Sequence, residues 1–268
     1  MLKKLRVEAG TYDFAKRTIL WFVLCAVIIG GYYRTFAERC PGGAKWEFVI
    51  YVLTNHDLVL LFLTVLLLAF TSARAGEARR YPILLRYRSR SEALAARLGA
   101  RVFFALFMVL SLAGMLGIAG SGFQVRGNLY PQAESMGYIY VIACQCLNIL
   151  CYFNFILLLR EILQNLFRNT ALELFFTLLI PIVTRGAVLK DQTRLVLISP
   201  WGSIAYMLAY NLPDFQTVNE LNIIVEVERP DYRFYWQYWL AVQAVLFCIA
   251  VWLERNRDYV FDQHRRGG

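Results

Sequence analysis

Five stretches of this chain, residues 18–33, 58–73, 102–125, 135–159 and 234–253, contain no charged side chain, and a weaker one covers 174–184. About 18 or more apolar residues in a row suffice for a helix to cross the ~30 Å hydrocarbon layer of a bilayer. Composition agrees: 59% of the 268 residues are hydrophobic and 18% charged, where soluble domains carry roughly 45–50% and about 25%. A soluble enzyme, a disordered chain and a disulfide scaffold are excluded. The expected fold is all-α and polytopic, a single membrane domain over residues 1–268. An amphipathic surface helix is expected over 1–17, followed by spans over about 18–36, 48–73, 98–120, 136–159, 171–189 and 233–253. An external re-entrant segment is expected between the last two spans.

Charge sets the orientation. With both termini cytoplasmic, the inner segments hold five basic residues in Lys3–Arg17, eight in Arg74–Arg101, two at Arg160 and Arg168, and four in Arg255–Arg266. That is 19 of the 28 basic residues. The opposite orientation would place the eight-arginine connector outside, against the positive-inside tendency. The net charge of +9 is then read as loops facing anionic headgroups, with no nucleic-acid partner. The basic start followed by 18–33 imitates a secretion signal, but Arg34, Glu38 and Arg39 stand where small residues would be needed for cleavage. Five of the six cysteines lie in apolar windows. Cys144 and Cys146 point about 200° apart on a helix, so no metal site is expected and they read as packing residues.

Several segments carry local signals. Asn55-His56-Asp57 interrupts the second span and is placed at the outer headgroup level, with Asp57 as a helix cap. Gly114, Gly117 and Gly120 in the third span let a neighbouring backbone come close. Gln145, Asn148 and Tyr152 form a polar stripe in the fourth span, suited to hydrogen bonding between helices or to a substrate path. Pro181 in the fifth span joins that candidate path. Thr170-x-x-Glu173 and Ser89-x-x-Glu92 are capping boxes that start the fifth and third helices. The stretch 195–213, broken by Ser199-Pro200 and Gly202, is the re-entrant candidate, and 221–228 alternates as a short external strand would.

The connector between spans two and three is the most informative part. It runs Gly76-Glu77-Ala78-Arg79-Arg80-Tyr81-Pro82-Ile83-Leu84-Leu85-Arg86-Tyr87-Arg88-Ser89-Arg90. Pro82 suits the first turn of a short helix over 82–87, which would expose Ile83, Leu84, Leu85 and Tyr87 inside a rim of arginines. Such a surface fits a groove on a soluble partner, or else lies on lipid headgroups.

With this connector, an acidic residue before a Leu-Leu pair, then Ser-Arg and a long helix, the chain resembles the permease subunit of type 2 ATP-binding-cassette exporters. Tyr81-Pro82-Ile83 departs from the Gly-Thr-apolar stretch of many members. The resemblance implies that Glu77, Arg79, Arg80, Pro82, Leu84, Leu85, Arg86, Arg88, Ser89 and Arg90 form a coupling helix. It would seat in a separate ATPase, present in two copies and holding ATP and magnesium, with a second permease chain, identical or homologous, completing the machine. No G-x-x-x-x-G-K-[ST] phosphate loop occurs in the sequence, so hydrolysis is assigned to the partner and this chain is not read as an enzyme. It is expected in a prokaryotic cell membrane, exporting an amphipathic peptide, drug or lipid-linked molecule. Two other classes stay open: a membrane scaffold using the same connector, and a lipid-acting enzyme using Asn55-His56-Asp57.

Overall fold

The computed structural model describes residues 14–40, 42–55, 57–71, 89–123, 137–167, 170–188, 217–218, 224–225 and 232–256. Those residues are almost entirely helical. Helix α1 covers Phe14–Arg39, α2 Lys45–Leu53 and α3 Thr64–Phe70, the last preceded by a π-helical stretch, Asp57–Leu63. Helix α4 covers Arg90–Ala119, α5 Tyr138–Leu166, α6 Thr170–Val188 and α7 Tyr232–Asn256. Strands β1, Thr217–Val218, and β2, Ile224–Val225, pair antiparallel with Thr217 opposite Val225, so part of the expected external strand is extended.

Four helical stretches among the described residues are long and apolar enough to cross a bilayer: Lys16–Arg39, Arg90–Gly122, Tyr138–Leu166 and Gln237–Asn256. The first begins inside the expected surface helix, since Phe14–Arg17 already belong to α1; residues 1–13 lie outside the described part. So do the re-entrant candidate 195–213 and the connector 72–88.

The expected second span is two pieces rather than one rod. Thr54 Oγ1 donates back to Ile50 O at 2.9 Å, and the Leu58 N–H donates to Asn55 Oδ1 at 3.0 Å. The polar side chains thus end one helix and start the next. Asn55 is the cap; Asp57, the expected one, already lies within the following turn. Helix α4 starts where its sequence predicts, with the Glu92 N–H donating to Ser89 Oγ at 3.2 Å.

Helix α5 is the central post. It touches α2, α3, α4, α6 and α7. Its apolar stretch is 67% buried, against 17%, 33% and 17% for those of α1, α4 and α7. The outward residues of α1 (Leu20, Val23, Val27) and of α7 (Leu240, Val245, Trp252) are large and apolar, which suits lipid tails. In lipid, helices gain little from apolar transfer and are held by close packing and interhelical hydrogen bonds. Both are present. Trp21 Nε1 donates to Ser111 Oγ at 2.8 Å, tying α1 to α4. A Cβ on Gly120 would lie 2.9 Å from Lys45 O, so the glycine lets α2 start against the end of α4. Gly117 meets only the Trp46 ring at 3.7 Å and Gly114 meets nothing within 4 Å. Of the three small residues, one serves backbone approach in this chain. Near it the rings of Tyr33, Phe36, Phe48 and Phe123 meet in tilted and edge-to-face pairs with centroids 4.5–5.9 Å apart.

Candidate functional site

The end of the bundle opposite Gly120, here called its base, is built from charges. Arg97 and Arg101, four apart, share a face of α4. Arg101 pairs with Glu161 of α5. Arg97 Nη2 bridges Glu161 Oε2 at 3.3 Å and Glu254 Oε1 of α7 at 3.2 Å. The next residue back on α5 opens a second cluster: Arg160 Nε donates to Glu173 Oε1 of α6 at 2.7 Å. Its Nη1 donates to Leu68 O at 2.9 Å and to Thr71 Oγ1 at 3.3 Å. Gln164 Nε2 donates to the same Glu173 oxygen at 2.8 Å.

Arg101, Arg160, Glu161, Glu173 and Glu254 are all buried, and Arg97 nearly so. Among the described residues three arginines face three glutamates, so their formal charges cancel. Stripping water from each ion costs several kcal/mol, and only multiple charge-assisted bonds of good geometry offset it. Adjacent residues of one helix thereby join α4 and α7 on one side to α3 and α6 on the other. Among the basic residues counted to the inner side, Arg97, Arg101 and Arg160 pair with carboxylates inside the protein. Glu161 and Glu254 carry the site and escape a residue count. Their signal is the Arg160-Glu161 and Glu254-Arg255 dyads, which close two apolar windows on the side where Arg97 and Arg101 open another.

Of the ten connector residues assigned to ATPase coupling, Glu77, Arg79, Arg80, Pro82, Leu84, Leu85, Arg86 and Arg88 lie outside the described residues. Ser89 and Arg90 are described. Ser89 caps α4, and Arg90 Nη1 donates to Arg255 O of α7 at 2.9 Å. The connector therefore feeds straight into the base.

Higher on α5, Gln145, Asn148 and Tyr152 are all buried. Thr64 Oγ1 donates to the Tyr152 hydroxyl at 3.3 Å. Asn154 Nδ2 donates to Gln243 Oε1 at 2.6 Å, and Gln243 Nε2 to Cys151 O at 3.1 Å, joining α5 to α7. The stripe thus includes hydrogen bonding between helices. Among the described residues neither polar atom of the Asn148 amide has a partner. Pro181 lies within α6, where its ring nitrogen cannot donate to the carbonyl four residues earlier. His56 and the Asp57 side chain fall outside the described part.

Comparison with protein families, with curated proteins and with solved structures finds no match to this chain.

Proposed function

We propose that this chain is the membrane-spanning subunit of an ATP-driven exporter of the type 2 ATP-binding-cassette kind. Six spans with both ends cytoplasmic and an external re-entrant segment over 195–213 complete its layout. A separate ATPase, in two copies with their ATP and magnesium, grips residues 76–90. A second permease chain, identical or homologous, pairs with this one in a prokaryotic cell membrane.

The observation that carries this reading is the ionic base directly behind the connector. Helix α4, 30 residues long, measures about 45 Å against a hydrocarbon layer of ~30 Å. Roughly its first ten residues therefore extend past the apolar layer as a rigid lever. A push on the connector enters at Ser89 and Arg90. It passes through Arg97 and Arg101 to Glu161 on α5 and Glu254 on α7, and through Arg160 to α6 and α3. A loop that merely lay on headgroups would gain nothing from such a rigid junction. Closure of the ATPases would thereby move the helices as bodies, the two-state change that alternating access needs.

Solubilised in detergent, the chain is expected to retain an ATPase through purification and to stimulate its turnover. Leu84→Asp with Leu85→Asp removes the apolar seat and is expected to abolish the stimulation while the melting temperature stays that of the parent. Undiminished stimulation in that variant would refute the assignment.

A further inference from the structure

Along α5 the residues Val141, Gln145, Asn148 and Tyr152 are spaced four, three and four apart, so they share one face. Both ends of that face touch the interrupted segment: Val141 packs with Ile50 and Tyr152 is bonded by Thr64. Asn148 therefore faces the stretch between Ile50 and Thr64. That is where α2 stops at Leu53 and the chain resumes at Asp57 as a π-helix. Ten residues below the start of α5, Asn148 sits about 15 Å down the helix, the middle of a ~30 Å apolar layer.

Two independent features meet there. One is the break itself: non-helical backbone at membrane depth persists where it is buried in protein or lines a polar cavity, and discontinuous helices are where membrane proteins bind polar groups at mid-depth. The π-helical turn beyond it belongs to a class that gathers at functional sites. The other is Asn148, wholly buried, whose amide nitrogen and oxygen both lack partners among the described residues. A leucine would fill the same space without the cost of an unsatisfied amide.

We propose that Asn148, opposite the break between α2 and the π-helical turn, binds an uncharged hydrogen-bonding group, an amide or hydroxyl, of an amphipathic molecule. A carboxamide donates and accepts at once, so it is satisfied by a group that does both. Among the described side chains that face carries no acidic or basic group to balance a charge; the polar groups around it include Tyr138, Gln145, Asn148, Tyr152, Thr64, Thr54 and Asn55. Naming the bound molecule as exported cargo rests on the function proposed above. The site itself does not.

The test uses the intact chain in lipid nanodiscs and two photoreactive probes, N-dodecanoyl-4-benzoylphenylalaninamide and the amide-free 4-dodecylbenzophenone. The amide probe is expected to label peptides from 45–71 or 138–166 and to be displaced by N-dodecanoyl-phenylalaninamide but not by dodecylbenzene. Asn148→Leu is expected to cut that labelling about tenfold, the loss of one or two hydrogen bonds. Labelling by the amide-free probe stays unchanged, and the melting temperature of the empty protein does not fall. Labelling that the amide fails to displace, or that survives Asn148→Leu, overturns the site. So does a variant that melts lower or fails to fold, because the amide would then already hold a structural water. Amide-specific displacement without a co-purifying ATPase removes the export reading and keeps the site; the converse removes the site alone.

Discussion

Arg160-Glu161 and Asn148 stand on the same helix about 18 Å apart, and the protein treats them in opposite ways. Each charge at the base is met by side chains from other helices: Arg160 by Glu173 and Thr71, Glu161 by Arg97 and Arg101. The amide in the middle is met by nothing among the described residues. Low dielectric explains why the arrangement is not reversed. A buried charge without a partner costs more than a fold of this size can absorb, whereas an unpaired amide is tolerable. The base is thus a lock, and the middle is where hydrogen-bonding capacity is held in reserve.

The largest expected effect breaks the lock. Glu161→Leu removes the carboxylate that Arg101 and Arg97 share, at an expected loss of about 3–5 kcal/mol. It would be read as a fall in melting temperature or loss of monodisperse protein. Adding Arg101→Met removes one of the two charges left facing the leucine, and Arg97 keeps its bond to Glu254, so most of the loss should return. A Glu161→Leu protein that melts with the parent would erase the distinction between the two regions.

The middle of the bundle should respond far less. Thr64→Val deletes the bond to Tyr152, and interhelical hydrogen bonds in membrane proteins average about 0.6 kcal/mol with an upper value near ~1.7. Tyr152→Phe on top of it should add little, since the pair is already gone. A loss as large as that of Glu161→Leu would mean that α5 is locked along its whole length.

Local signals in this sequence translate into local structure. Ser89 and Glu92 start α4 because a cap acts within one turn, and the helix is interrupted at Thr54-Asn55 because those two side chains compete for the backbone. The depth of that interruption is not local. It follows from Ile50 meeting Val141 and Thr64 meeting Tyr152, contacts that set the break against α5 between those two residues. The ionic base is hidden for the same reason, since Arg97 and Arg101 find Glu161 across 64 and 60 residues. Counting arginines gives each the same weight, paired or solvated. The stripe on α5 is legible as a stripe, but which of its members is satisfied depends on the facing helix, and so Asn148 cannot be told from Tyr152 by spacing.

The smallest expected effect is kinetic and asks which way up the two regions stand. Cys40 follows the last residue of α1 at the end away from the base, its N–H donating to Phe36 O at 2.8 Å. Burial pushes its thiol above the ordinary 9.0, Glu47 adds to this and Arg39 opposes it. The thiolate is the reactive form, so a raised pKa means slow labelling at neutral pH and a rate that climbs about tenfold per pH unit until the thiol titrates. An impermeant maleimide added to intact cells should label Cys40 on that slope, with Cys40→Ser removing the signal. The other cysteines lie within helices, in the apolar windows. Labelling that needed permeabilised cells would put Cys40 inside and the ionic base outside. The connector over 76–90 would then be out of reach of any cytosolic ATPase, while the lock and the unpaired amide would keep their places relative to each other.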